Sequence, residues 1–154
     1  MTQNKEFVCS FNLENNPVPH RTPTVTRFGN VYKGKRELAY IKDLSAKIDD
    51  FLKDEDLPIF DDVPVEVSYE FGFMPAKSWT KKRKIIAFLQ KWMFSKPDIS
   101  NIIKSTDDIL MKSKVFSDDQ YIVSYRDVRK VYTEKPSIRI IVREIKLEEN
   151  QTIN

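Results

Sequence analysis

"KPDISNIIKSTDDIL", residues 96–110, carries the clearest helical periodicity in the chain. Stepping 100° per residue from Asp98, the residues Ile99, Ile102, Ile103, Ile109 and Leu110 fall within one stripe of about 120°. That predicts a helix from near Asp98 to about Met111 with the stripe on the core. The opposite arc collects Ser100, Asn101, Lys104, Asp107 and Asp108, so a lysine lies among carboxylates on the exposed or cleft-facing side. Eight residues after Leu110 comes a pair of acids, Asp118 and Asp119.

Each of these residues has an ordinary reading. Asp98 stands where an N-cap would accept backbone N–H bonds. Lys104 and Asp108 are four apart and suit a surface ion pair. Asp118 and Asp119 fit a turn before a strand. The same oxygen-rich set also suits a hard cation, and spacing alone does not choose between these roles.

Outward from this helix the pattern alternates between strand and helix. Downstream, "SDDQYIVSYRDVRKVY" and "SIRIIVREIKL" have the composition of two long strands joined through "TEKP", and the last residues, "EENQTIN", are expected to fray. Upstream, "SWTKKRKIIAFLQKWMF" reads as a loop and a short helix. Thr80 is its candidate N-cap, and Ile85, Phe88, Leu89 and Trp92 are expected to face inward, opposite a basic side. Before it, Val65, Val67, Tyr69, Phe71 and Phe73 alternate with Glu66, Ser68 and Glu70, as on a half-buried strand. "RELAYIKDLSAKIDDFLK" spaces Leu38, Ile41, Leu44, Ile48, Phe51 and Leu52 for an amphipathic helix from Arg36 to about Lys53. Nearer the N-terminus, "EFVCSFNL" has strand composition, "NNPVPHRTP" is a Pro-broken connection, and Gly29-Asn30 marks a hairpin carrying Arg27 and Lys33.

With 154 residues and 40% hydrophobic content, the chain suits one domain over residues 1–154, with its core at about 7–146. No apolar run could span a bilayer, and "MTQNKEFVCS" lacks the apolar core of a signal peptide, so a cytoplasmic protein is expected. The lone Cys9 forms no internal disulfide, and the single His20 rules out a His-rich zinc site. Net charge is only +3, yet Lys77 to Lys104 holds eight Lys or Arg residues against Asp98 alone. Such a run is either a solvated helix face or a surface for phosphates.

The motif "KPDISNIIKSTDDIL" followed by "VFSDDQYIV" resembles the signature of the RusA-type Holliday junction resolvases. Lys96, Pro97, Asp98, Asn101, Lys104, Asp108, Leu110, Asp118, Asp119, Gln120 and Val123 can all be laid on that pattern. "NNPVPHRTP" is similar to the family's Pro-rich basic opening, and "MPAKSWTKKRK" resembles the segment just before its motif. The likeness covers most of Phe7 to Ile145, and it departs at Ser100, where the family usually has a second aspartate.

The resemblance implies a small mixed α/β (α+β) fold, a mixed sheet with three main helices, which agrees with the order of elements above. It also implies a structure-selective endodeoxyribonuclease that resolves branched DNA, working as a homodimer on a four-way junction without contact with a membrane. Catalytic residues by carry-over are Asp98, Asp119 and Lys104. Metal contacts would come from Asp98, Asp119, Asp118 and Ser100, holding Mg²⁺ with Mn²⁺ able to substitute. Arg21, Arg27, Lys77, Lys81, Lys82, Arg83, Lys84 and Lys96 are the expected DNA contacts. Two alternatives stay open: a junction-binding protein weakened in catalysis by Ser100, and a small basic protein whose acids are caps and turns.

Overall fold

The computed structural model describes residues 5–21, 24, 25, 27, 29, 31, 32 and 34–147. The hairpin residues Lys33 and Asn30 and the tail Glu148–Asn154 lie outside the described residues. In chain order the elements are β1 (Glu6–Asn12), β2 (Thr24–Val25), β3 (Val31–Tyr32), α1 (Lys35–Leu52), β4 (Val65–Phe73), α2 (Lys81–Gln90), α3 (Ile99–Lys112), β5 (Ile122–Tyr132) and β6 (Ser137–Glu144). A single 3-10 turn, Asp119–Tyr121, leads into β5.

The main sheet runs β1-β6-β4-β5, with β6 antiparallel to both neighbours and β5 parallel to β4. β2 and β3 pair separately as a short antiparallel ribbon, with Gly29 at φ 82° in the turn between them. This is the mixed α+β arrangement that the alternation of patterns predicts. β5 and β6 are joined by only four residues, yet β4 lies between them. Their connection therefore crosses the end of β4, where Thr133 N–H donates to Phe73 O at 2.8 Å. The crossing needs Gly72: a Cβ there would lie 2.1 Å from Ser137 Oγ and 2.6 Å from Thr133 Oγ1. Forcing a methyl group into so tight a space costs about 1–3 kcal/mol.

One face of the sheet holds the core. Val65, Val67, Tyr69, Phe71 and Phe73 of β4 bury against Leu44, Ile48 and Leu52 of α1 and Ile102, Ile109 and Leu110 of α3. Each such aliphatic or aromatic side chain contributes about 1.5–3 kcal/mol when fully removed from water. Ser68, Glu70, Arg139, Ile141 and Arg143 lie instead along an open basin of about 380 Å³ on the sheet. The Cys9 thiol joins the core, and burial pushes it up to about 12, where it is unreactive.

α2 departs from its expected orientation. Thr80 caps it as predicted, accepting from Arg83 N–H at 3.2 Å, but only Ala87 is buried. Ile85 is 50% exposed, Phe88 39%, Leu89 80% and Trp92 51%, so these residues face outward. The helix hangs at the edge of the sheet. After it, Trp92 bridges to Val131, and Met93 N–H and Tyr132 N–H bond to Lys130 O and Lys91 O across the β5 edge. Periodicity sets which residues share a face; it does not supply a second layer to cover that face.

Candidate active site

The first turn of α3 is reached through Ser95, Lys96 and Pro97. Lys130 of β5 holds that approach, its Nζ donating to Ser95 O at 2.6 Å and Pro97 O at 2.7 Å. Asp98 occupies the N-cap position with extended backbone, and its carbonyl accepts from Asn101 N–H and Ile102 N–H. Its side chain, however, makes no capping hydrogen bond. An exposed carboxylate at a helix entry is thereby left free for another partner. Partial burial lowers the Lys130 ammonium from its ordinary value, and the charge of Asp98 opposes that fall, which places the two groups in one electrostatic neighbourhood.

Ser100 and Lys104 follow on the exposed side of α3. Lys104 forms no ion pair among the described residues; Asp108 pairs with Lys112 at 2.9 Å instead. At the far end of the site, Asp118 N-caps the 3-10 turn and accepts from Gln120 N–H at 3.4 Å, so the turn reading of this acid is also met. The Asp119 carboxyl is held above the usual carboxylate range, first by a side-chain hydrogen bond with Asp118, then by slight desolvation and the charges of Asp118 and Asp108. A carboxyl raised in this way has too little positive charge nearby.

Asp107, placed by periodicity on the exposed or cleft-facing arc, is not at the surface. It is buried, at 8% exposure, because tyrosines of two strands, buried Tyr69 and exposed Tyr125, reach across to it. Tyr69 Oη donates at 2.6 Å, and Tyr125 Oη donates to the other carboxylate oxygen. Burial pushes Asp107 up to about 6, the two tyrosine hydrogen bonds oppose the rise, and the charge of Asp119 adds to it. The buried arc of α3 is thus wider than the apolar stripe, since Ser105 and Thr106 are buried as well. Thr106 Oγ1 lies 2.8 Å from Tyr40 Oη, and Ser105 Oγ donates to Val18 O at 2.7 Å.

The Pro-rich connection is fixed beside this helix. His20 N–H donates to Asn101 O at 2.9 Å, and His20 Nδ1 lies 3.3 Å from the buried Glu37. Exposed Arg21 therefore stands next to the first turn of α3. Lys77, Lys81, Lys82, Arg83 and Lys96 are also exposed and Lys84 half-buried, while Arg27 projects at the β2–β3 turn. Arg83 is partly engaged already, its guanidinium lying 3.8 Å over Trp79, which itself packs on Tyr132. Sequence reasoning missed Lys130 and the Asp107–tyrosine network. No local pattern marks either one, because each depends on which strand lies beside α3.

Hard oxygen donors with excess negative charge suit Mg²⁺, which is commonly held by one or two carboxylates together with waters and substrate phosphates. Asp98, Asp119, Asp118 and the Ser100 hydroxyl are oxygen donors of that kind. Among the described residues no three or more acidic, His or Cys side chains are grouped to hold a metal ion by themselves.

Residues 14–143 match the family described as Endodeoxyribonuclease RusA. The chain is also similar to the crossover junction endodeoxyribonuclease rusA of Lactococcus phage r1t, with 36% identity over 55 residues. That match spans 36% of this chain and 41% of the relative, so the aligned part is about two fifths of the relative's length.

Proposed function

The chain belongs to the RusA endodeoxyribonuclease family, and from that premise we propose that it is a Mg²⁺-dependent, structure-selective nuclease acting on four-way and other branched DNA as a homodimer. The observation that carries the reading is the uncapped Asp98, an N-cap residue whose carboxylate does no capping and whose charge acts on the neighbouring Lys130. Two nicks placed symmetrically across a junction call for two sites related by a two-fold axis, hence two copies.

Asp98, Asp119, Asp118 and Ser100 would hold the ion. Bound there, Mg²⁺, or Mn²⁺ in its place, supplies a water of lowered pKa and stabilises charge on the departing oxygen. The chain's own residues then have separable tasks. Lys104, exposed and without an ion pair among the described residues, balances charge at the scissile phosphate or anchors its neighbour. Arg21, Arg27, Lys77, Lys81, Lys82, Arg83, Lys84 and Lys96 hold the phosphates of the arms. Lys130 keeps the approach to Asp98 in place through its two carbonyl hydrogen bonds.

Incubating the protein with a synthetic four-way junction in Mg²⁺ and in EDTA tests this. Paired cleavage with metal alone is expected, and an intact junction under all conditions overturns the nuclease reading. A second reading, a junction binder with weakened catalysis, draws on Ser100 and on the absence of a three-acid group among the described residues. It predicts a shifted but uncut junction. Ser100→Asp separates the two: an added hard ligand should lower the Mg²⁺ concentration for half-maximal cleavage. An unchanged or higher midpoint would show that Ser100 is no vacant ligand position.

A further inference from the structure

We propose that the outward face of α2, continued by Trp92 and Phe94, is the surface on which a second copy of this chain docks. The inference rests on the homodimer reading above and gives that dimer a location. Ile85, Ile86, Phe88 and Leu89 cover an arc of about 160° on the side of α2 away from Ala87. Their exposures are 50%, 42%, 39% and 80%, and Trp92 and Phe94 add 51% and 87%.

Six large apolar residues this exposed, within ten positions, present on the order of 700 Å², given 150–250 Å² for a whole aromatic side chain. That exceeds the ~300–600 Å² patch of an ordinary monomer and approaches the ~800 Å² that each partner contributes to a standard interface.

The distribution of charge favours a second copy over a different basic or apolar partner. Lys81 to Lys84 lie in the first turn of α2 and the apolar residues follow, with Lys91 capping the far end beside Trp92. Two copies crossing antiparallel at Leu89 would bury the apolar halves together. At 1.5 Å per residue the basic first turns, Lys81 to Lys84, would then stand about 15–24 Å apart, beyond the ~8 Å screening length. The interface is self-complementary, as a two-fold interface must be. Phe94 is four residues before Asp98, so the pairing would fix the two acid sites on either side of one interface.

Sedimentation velocity on the full chain without DNA tests the inference. The wild type should sediment as a dimer of the 18.2 kDa chain. Leu89→Asp should weaken that dimer by roughly 30-fold or more, as expected for loss of a central apolar anchor. Phe94→Ser, outside the helix, should shift the equilibrium the same way and so separates loss of the face from loss of the helix. Leu38→Asp, at an exposed site on α1, should leave it unchanged. A monomeric wild type, including one that sediments only with anionic vesicles, overturns the docking face, as does a Leu89→Asp dimer of wild-type strength. Junction cleavage keeps the two readings apart. A monomer that still cuts removes the docking face and the homodimer but leaves the nuclease, whereas a dimer through α2 that never cuts with metal removes the nuclease alone.

Discussion

Asp98 and Asp119 differ in what surrounds them, and that difference sets what their loss should do. Asp98 is exposed and makes no capping bond, so Asp98→Asn removes a charge without disturbing the fold. Asp119 is raised by Asp118 and Asp108, so Asp119→Asn relieves repulsion. Both variants should fold as the wild type does, lose junction cleavage by at least about 100-fold, and bind the junction as tightly or more tightly, since each removes negative charge near phosphate. Parallel cleavage and mobility-shift assays check this; wild-type cutting by either variant removes that residue from the site. Asp107 is the opposite case, buried and structural. Its folded pKa of about 6 lies above the ordinary aspartate value of 3.8, so the protonated form is favoured by folding. The stabilisation is fully present below about pH 4 and is lost as pH rises through about 6, amounting to about 3 kcal/mol. Urea unfolding in EDTA should show the wild type losing roughly that much relative to Asp107→Asn between pH 4 and pH 7. A pH-independent difference would mean that Asp107 does not titrate in this window.

At the scale of elements, α2 separates two kinds of surface along ten residues. Its first turn carries Lys81, Lys82, Arg83 and Lys84, and the turns after it carry the apolar face. Replacing the four basic residues by neutral ones should leave cleavage chemistry intact at saturating protein while flattening the dependence of log K on log[salt] by about 0.9 for each phosphate no longer neutralised. Arg83 should count for less than a whole phosphate, because its guanidinium already stacks on Trp79. An unchanged slope in the four-residue variant returns the run to a solvated face. α3 shows how an element's partners revise its pattern: Asp107 and Thr106 are buried because Tyr69, Tyr125 and Tyr40 present hydroxyls to them.

For the whole molecule, β4 is the structural centre. It is paired on both sides, and its five inward side chains touch both long helices, whereas α2 buries only Ala87. Local opening free energy should follow that order. In the Leu89→Asp variant, where no second copy covers α2, its amides should exchange hydrogen by at least about 100-fold faster than those of β4, with β6 close to β4. Equal protection of α2 and β4 in that variant would show that α2 is held by more than the packing of Ala87.

The residues that make each element were legible because periodicity is local. β4 alternates as Val65 to Phe73 require, α1 and α3 lie within a residue or two of their predicted bounds, and Thr80 caps α2. Family membership was legible for a related reason: the acids and lysines of the motif, Lys96 to Asp119, lie within one short stretch of the chain. What the tertiary structure alone decided is which polar and apolar faces meet. Sheet order put β4 between β5 and β6, and so made Gly72 the crossing point. It also brought Tyr125 and Lys130 of β5 to α3, burying Asp107 and bracing the approach to Asp98. It left α2 at an edge with no second layer, turning outward a face whose spacing asks for burial. Sequence sets the direction of each side chain relative to its own helix or strand, but burial and charge depend on distances between elements far apart in the chain, and only packing sets those.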